Sequence, residues 1–302
     1  MPRCGRTHRS VSADVPAMPD LIYDDAYIQV LHSPGTMPYA LATFNNMNQI
    51  ANGRDFWGRT MTAKHGIECF GFVTKGPNWF PATSMARAAA AIATDRPIIN
   101  YGHSMGGYAA LKYSRLMGVA GVVASAPQAT IDPAADIEDR RYIGNYDAIL
   151  NAGMGIIRGD TAGRVLLAYD PTFRPDRLHA EWVMRVTDRV EPCLLPYMQH
   201  RPVAALRPAV VLPLFDAILS GGPVRPIIRE ANRAKRAVPS YFIYLARALI
   251  VDRKPTVALR VLDRMVPTND GERSQRDRYV ALAGVMLKRM TVRGADGAVL
   301  ER

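Results

Sequence analysis

The stretch that most constrains this 302-residue chain is Gly102-His103-Ser104-Met105-Gly106-Gly107. It follows Pro97-Ile98-Ile99-Asn100-Tyr101, a short run of β-formers of the kind that fills the buried centre of a parallel sheet. After it, Tyr108, Ala109, Leu111, Lys112, Tyr113 and Leu116 recur at helical spacing, and Gly118 supplies a stop. Strand, glycine-flanked serine and helix together predict a sharp turn that lifts the Ser104 hydroxyl out of the sheet. The residue at the tip of such a turn is strained, and side chains two positions to either side would collide, which are the places of Gly102 and Gly106. The alternative is a glycine-rich turn with an idle serine.

The flanking sequence predicts the rest of an α/β sheet. Strand patterns run over Tyr27 to Leu31, Tyr39 to Phe44, Ile67 to Thr74, Val119 to Ala124, Val165 to Tyr169 and Val190 to Leu195. Helical patterns lie near Phe56 to His65 and Ala86 to Thr94. Residues 127–160, rich in charged and turn residues, read as an insertion of the kind that covers a site. Beyond Gly221-Gly222-Pro223 only helices are expected: Tyr241 to Val251, Pro255 to Met265 and a further one from Arg278 to Met290. The chain therefore divides into a loose leader (1–20), an α/β domain (21–221) and a helical module (222–302).

Charge divides the same way. The net charge is +11, and residues 21–221 carry 18 Lys and Arg against 17 Asp and Glu, whereas residues 222–302 carry 17 against 8. Arg225, Arg229 and Arg233 would form one positive stripe on a helix, suited to an acidic partner or else a solvated face. No nucleic-acid motif accompanies it. Three scattered cysteines, Cys4, Cys69 and Cys193, build neither a disulfide framework nor a zinc site and fit a reduced, cytoplasmic setting. Cys193, within an apolar run, reads as a buried strand residue. No apolar run is long enough for a membrane span.

An activated serine needs a base and an acid that orients the base. The serine turn resembles that of the α/β-hydrolases, and that resemblance implies the chain order Ser, acid, His, in which only His179 and His200 follow Ser104. His200, in a loop after the last strand, is favoured over His179, which falls in a helical pattern. Asp170, directly at the end of the Val165 to Tyr169 strand, is favoured as the acid over Asp176, whose competing role is a helix N-cap. Oxyanion donors are expected from the Met105 backbone N–H and from the loop after Phe44, with Asn45 ahead of Asn46.

Residues 21–221 thus resemble the α/β-hydrolase superfamily, through Gly102-His103-Ser104-Met105-Gly106, the strand ending at Asp170, and His200. Within it, Ser125-Ala126-Pro127-Gln128 with Ile131-Asp132-Pro133 is similar to bacterial hydrolase-like domains found beside glycosyltransferase or repeat modules. Leu245, Ala246, Leu249, Ala258, Leu262 and Pro267 resemble a tetratricopeptide helix pair. The superfamily implies a serine hydrolase cleaving an ester, thioester or related acyl substrate, with acyl transfer by the same residues and with neither metal nor organic cofactor. The polar insertion disfavours action on aggregated fat and suits a soluble or glycan acyl ester, with Trp57, Trp79, Phe80 and Trp182 as pocket-lining candidates. The alternative is an inactive hydrolase fold whose basic helical tail binds a partner.

Overall fold

The computed structural model describes residues 18–297; most of the expected leader, with Cys4 and His8, lies outside the described residues. One eight-stranded sheet runs through the molecule in the order β1-β2-β4-β3-β5-β6-β7-β8. Its strands are β1 (Asp20–Asp24), β2 (Ile28–Ser33), β3 (Ala40–Phe44), β4 (Glu68–Thr74), β5 (Ile98–His103), β6 (Gly121–Ser125), β7 (Arg164–Tyr169) and β8 (Val190–Leu194). The β1–β2 and β2–β4 pairs are antiparallel, and all the others are parallel. With a serine turn at the end of β5, this is an α/β-hydrolase architecture.

The strands read as nearly continuous apolar runs because both sheet faces are covered. Along β3, Ala40, Ala42 and Phe44 face one core, while Leu41 faces the other together with Tyr39 from just before the strand. The first core takes residues from α2 (Ala82–Ala90), α3 (Met105–Lys112) and α4 (Arg174–Val186). The second takes α1 (Arg59–His65), α5 (Pro208–Ser220) and α6 (Arg225–Ala234). Val224, Ala231 and Val238 belong to this second core, so the polypeptide beyond 222 begins as part of the sheet's own packing.

Helices α7 (Pro239–Val251), α8 (Pro255–Asp263) and α9 (Asp270–Gly297) follow, joined by a small cluster of Ala246, Ala258, Leu262 and Ala283. Arg225, Arg229 and Arg233 are exposed on α6, and Arg233 pairs with Glu230. No helix among the described residues is long and apolar enough to cross a membrane.

The insertion between β6 and β7 contains one short 3₁₀ turn, Ile143–Asn145, and is tied down along its length. Met154 and Ile156 enter the first core. The Tyr108 hydroxyl donates to the Met154 carbonyl at 2.7 Å, and Lys112 bonds Gly155 O and Asp160 at 2.8 and 2.9 Å.

The carboxyl end of β5 is the tightest point. Ser104 has φ 56° and ψ −123°, a backbone conformation costing about 1–3 kcal/mol for a residue with a side chain. A Cβ on Gly102 would lie 2.0 Å from Gly106 O, and one on Gly106 would lie 2.2 Å from Phe44 O. Gly106→Ala must therefore push the turn off β3. Thermal unfolding of that variant is expected to show a loss of about 3 kcal/mol or more, where an exposed glycine-to-alanine change would be nearly silent.

Candidate functional site

Five strand ends deliver the site, all at the carboxyl edge of the sheet where open α/β folds bind ligands. β5 leads into Ser104, β6 into Gln128, β7 into α4, β8 into the His200 loop, and β3 into Asn45. Ser104 is held by its own N–H, which donates to Ser125 O at 2.8 Å, and by its carbonyl, which accepts from Tyr108 N–H at 3.0 Å.

His200 lies between Ser104 and Asp176. Its Nδ1 is 2.9 and 2.8 Å from the two carboxylate oxygens of Asp176, and its Nε2 is 2.9 Å from Ser104 Oγ. A carboxylate can only accept, so Nδ1 carries the proton and Nε2 is free to accept from the serine hydroxyl. Asp176 is completely shielded from water, and its Oδ1 also accepts from Arg141 Nη2 at 2.6 Å.

Asp170, expected to be the acid, is committed elsewhere. Its Oδ1 accepts from Thr172 N–H and Thr172 Oγ1 at 2.8 and 2.7 Å, and its Oδ2 accepts from Gln199 N–H at 2.6 Å. Asp176 is no N-cap either: the cap position is Phe173, and Asp176 sits inside the first turn of α4. That turn rotates its carboxylate toward the histidine loop, whereas Asp170 closes the turn after β7. His179 is equally engaged. Its Nδ1 accepts from Ala129 N–H at 3.0 Å, which leaves Nε2–H to donate to Asp139 at 3.1 Å.

The Met105 N–H opens α3, where no carbonyl within the helix can reach it. Asn45 does not supply a second free backbone donor, because its N–H donates to Phe72 O at 3.2 Å as the ladder between β3 and β4 runs on. Its side chain is buried as well, donating to Gln49 O at 2.7 Å and accepting from Thr74 N–H at 2.9 Å. The next N–H along this loop is that of Asn46.

Several neighbours were not assigned to the site from the sequence, although Gln128 lies in the Ser125-Ala126-Pro127-Gln128 stretch. Gln128, fully buried, donates from Nε2 to Ser104 Oγ at 3.3 Å. The Tyr142 hydroxyl is 3.1 Å from His200 Nε2, competing with the serine for one lone pair. Burial raises the Tyr142 phenol above its ordinary range despite the nearby Arg141, so it remains an O–H donor. Arg141 grips Asp139 through Nε and Nη2 at 2.9 and 2.7 Å. Burial acts to raise the Asp139 carboxyl, but hydrogen bonds from His179 and Arg141 outweigh it and hold it well below the usual carboxylate range. The only sequence trace of this network is the charge run Glu138-Asp139-Arg140-Arg141, which reads equally as a solvated surface.

Ser104 is 4% exposed, so in this conformation the nucleophile candidate is covered. Of the aromatic candidates, Trp79 and Phe80 are buried in the first core and the Trp182 indole N–H donates to Ile156 O at 2.8 Å. Trp57 lines an open cleft of about 660 Å³ with Asn48, Gln49 and Ile50 from the loop after β3. Another cleft, of about 870 Å³, opens at the amino-terminal ends of β7 and β8, away from Ser104. Cys193 is buried on β8, and burial pushes its thiol up to about 12. No group of three or more His, Cys, Asp or Glu side chains able to hold a metal ion is gathered among the described residues.

Among solved structures, the chain is similar to alpha/beta hydrolase domain-containing protein 10 from mouse, at 13% identity and a TM-score of 0.47, covering 68% of this chain and 99% of that chain. It is also similar to a capsule O-acetyltransferase of Neisseria meningitidis serogroup A, at 12% identity and a TM-score of 0.46, covering 66% and 93%. A third is Thermogutta terrifontis esterase 2, at 14% identity and a TM-score of 0.40, covering 61% and 85%. No family model and no curated protein matches the sequence.

His103 gives the site a measurable pH signature. Burial first, then repulsion from His200, lowers its pKa to about 4, against the partial support of the Ser125 carbonyl. An unfolded chain binds that proton near pH 6.5, so unfolding takes up a proton between these values. Stability should fall as pH drops from about 6.5 to about 4, a window above that in which Asp139 protonates. Denaturant melts across that range are expected to show the slope in the wild type and a flatter one in His103→Asn.

Proposed function

We propose that the protein is a serine hydrolase or acyltransferase that works through an acyl-enzyme on Ser104. The observation that carries this reading is the continuous line from Ser104 Oγ through His200 to Asp176, with every contact at 2.8–2.9 Å and the serine in a strained turn. Hydrogen-bonded nucleophile, base and orienting acid are what acyl transfer by a serine requires.

In this reading Ser104 attacks the carbonyl carbon of an ester or thioester while His200 Nε2 takes the hydroxyl proton. Asp176 keeps Nδ1–H in place and stabilises the imidazolium that forms; it stays ionised throughout. The oxyanion is held by the N–H of Met105, with Asn46 N–H taking the place expected of Asn45. His200 then protonates the leaving group. Water, or an acceptor hydroxyl, attacks the acyl-enzyme with the same nitrogen as base, and which acceptor wins separates hydrolysis from transfer.

The Tyr142 hydroxyl lies on His200 Nε2, where the leaving-group oxygen and later the attacking oxygen must sit, so substrate entry displaces it. Small polar acyl esters fit this covered, polar-lined serine better than long-chain lipids do. An acylated glycan remains the natural candidate for a site roofed by Arg141, Tyr142 and Gln128.

Labelling by a fluorophosphonate probe should modify the wild type and not Ser104→Ala, and hydrolysis of p-nitrophenyl acetate should fall by up to about a millionfold in that variant. A folded wild type that resists both probe and ester would overturn the reading. Asp176→Asn should cost turnover about 10⁴-fold by releasing the His200 tautomer. Asp170→Asn, which keeps an acceptor for Gln199 N–H, should cost far less; the reverse order would restore Asp170 as the acid.

A further inference from the structure

Lys235 follows directly on α6 and is only 6% exposed, an unusual place for a lysine. Burial lowers its pKa, the Asp170 charge opposes that shift and Arg236 adds to it. No carboxylate among the described residues forms an ion pair with it. Its ammonium instead donates to the Pro196 carbonyl at 3.1 Å and lies 5.2 Å from the centre of the Tyr241 ring. Pro196 opens the loop that ends in His200.

That loop has no regular structure to hold it. Two of its residues with side chains, Tyr197 and Gln199, have φ of 66° and 46°, in the left-handed region that favours glycine. Such a backbone persists only where its surroundings over-determine it. Leu195 and Met198 are buried in the second core, Leu195 N–H donates to Tyr169 O at 2.9 Å and Asp176 holds the His200 ring, and four further contacts bear on the loop. Asp170 accepts from Gln199 N–H at 2.6 Å, and Lys235 donates to Pro196 O. Asn232 Nδ2 donates to Leu194 O at 3.0 Å, and the Tyr241 ring packs edge-on against Tyr197 at 6.5 Å. Three of the four come from residues after 222.

We propose that Lys235 is a positioning residue for His200, which makes the segment from α6 to α7 a working part of the site; this rests on His200 being the base. Without the lysine, the first carbonyl of the loop loses its donor and the Tyr197–Tyr241 contact loses the cation above it. His200 then drifts from Ser104 Oγ, and displacement by about 1 Å can cost about a hundredfold in rate.

Lys235→Met keeps the length and apolar stem while removing the charge. A purely structural lysine would, on losing its bond to Pro196 O, shift the melting temperature and leave turnover alone. The expected result is the opposite: an unchanged fold, a kcat on p-nitrophenyl acetate lower by about 10- to 100-fold and a nearly constant KM. Arg236→Gln, at the exposed neighbouring position, should match the wild type. Tyr241→Leu should lose rate in the same way and stands in if Lys235→Met does not fold. A folded Lys235→Met that turns over within about twofold of the wild type overturns the proposal.

A second readout needs no turnover. Proton NMR should show the hydrogen-bonded Nδ1–H of His200 in the wild type and its loss or broadening in Lys235→Met. An inert wild type that resists the fluorophosphonate would sink the hydrolase reading alone, and the His200 resonance would still decide the positioning role. An Nδ1–H unchanged in the variant would overturn it.

Discussion

The backbone contact between the β5 turn and the end of β3 is what the remaining geometry is referred to. Gly106 presses on Phe44 O so closely that no Cβ fits between them, and Gly102 is pressed in the same way by Gly106 O. That contact fixes the start of α3, and with it the direction of the Met105 N–H and of the Ser104 hydroxyl. Strain at Ser104 is sustained because its N–H is tied to Ser125 O on β6 and its carbonyl to α3. The sheet therefore behaves as a rigid platform from which a serine is presented, and the other groups come to it on loops.

Those loops are held by charge and hydrogen bonding alongside the apolar burial of Met154, Ile156, Leu195 and Met198. Asp176 has no access to water, so its negative charge must be met inside the protein, by His200 on one side and Arg141 on the other. Arg141 in turn holds Asp139, and Asp139 holds the buried His179. One network thus runs from the insertion to the serine. The insertion, expected as a polar cover, is anchored at one end by the Arg141 pairs and at the other by Met154, Ile156 and Lys112. Tyr142, next to Arg141 in the insertion, places its hydroxyl on His200.

The helices after residue 222 are joined to the site by a different route. Their basic composition suggested a module apart from the hydrolase-type domain, yet α6 shares the core of the sheet and Lys235 has its charge turned inward. Exposed arginines on α6 and a buried lysine immediately after it are indistinguishable as composition. Burial alone separates a solvated cation from one that holds the histidine loop.

The strands β2 to β8, the turn at Ser104 and a histidine loop after the last strand were legible in the sequence because each depends on local pattern or on chain order, whereas β1, beginning at Asp20, was not read. Apolar runs with helical stretches between them require a sheet covered on both faces. Two glycines around Ser104 require a close backbone approach, and only two histidines follow it. Only the tertiary structure places Asp176 rather than Asp170 against His200; the two lie six residues apart after the same strand and differ in whether a turn or a helix aims the carboxylate. It likewise placed the Asn45 N–H on the β-ladder, brought Gln128, Arg141 and Tyr142 to Ser104, Asp176 and His200, and brought Lys235 to the Pro196 carbonyl, each from a segment distant in the chain. Spacing along a sequence encodes which way neighbouring side chains point; which distant groups end within hydrogen-bonding distance of one another is set by how the elements pack.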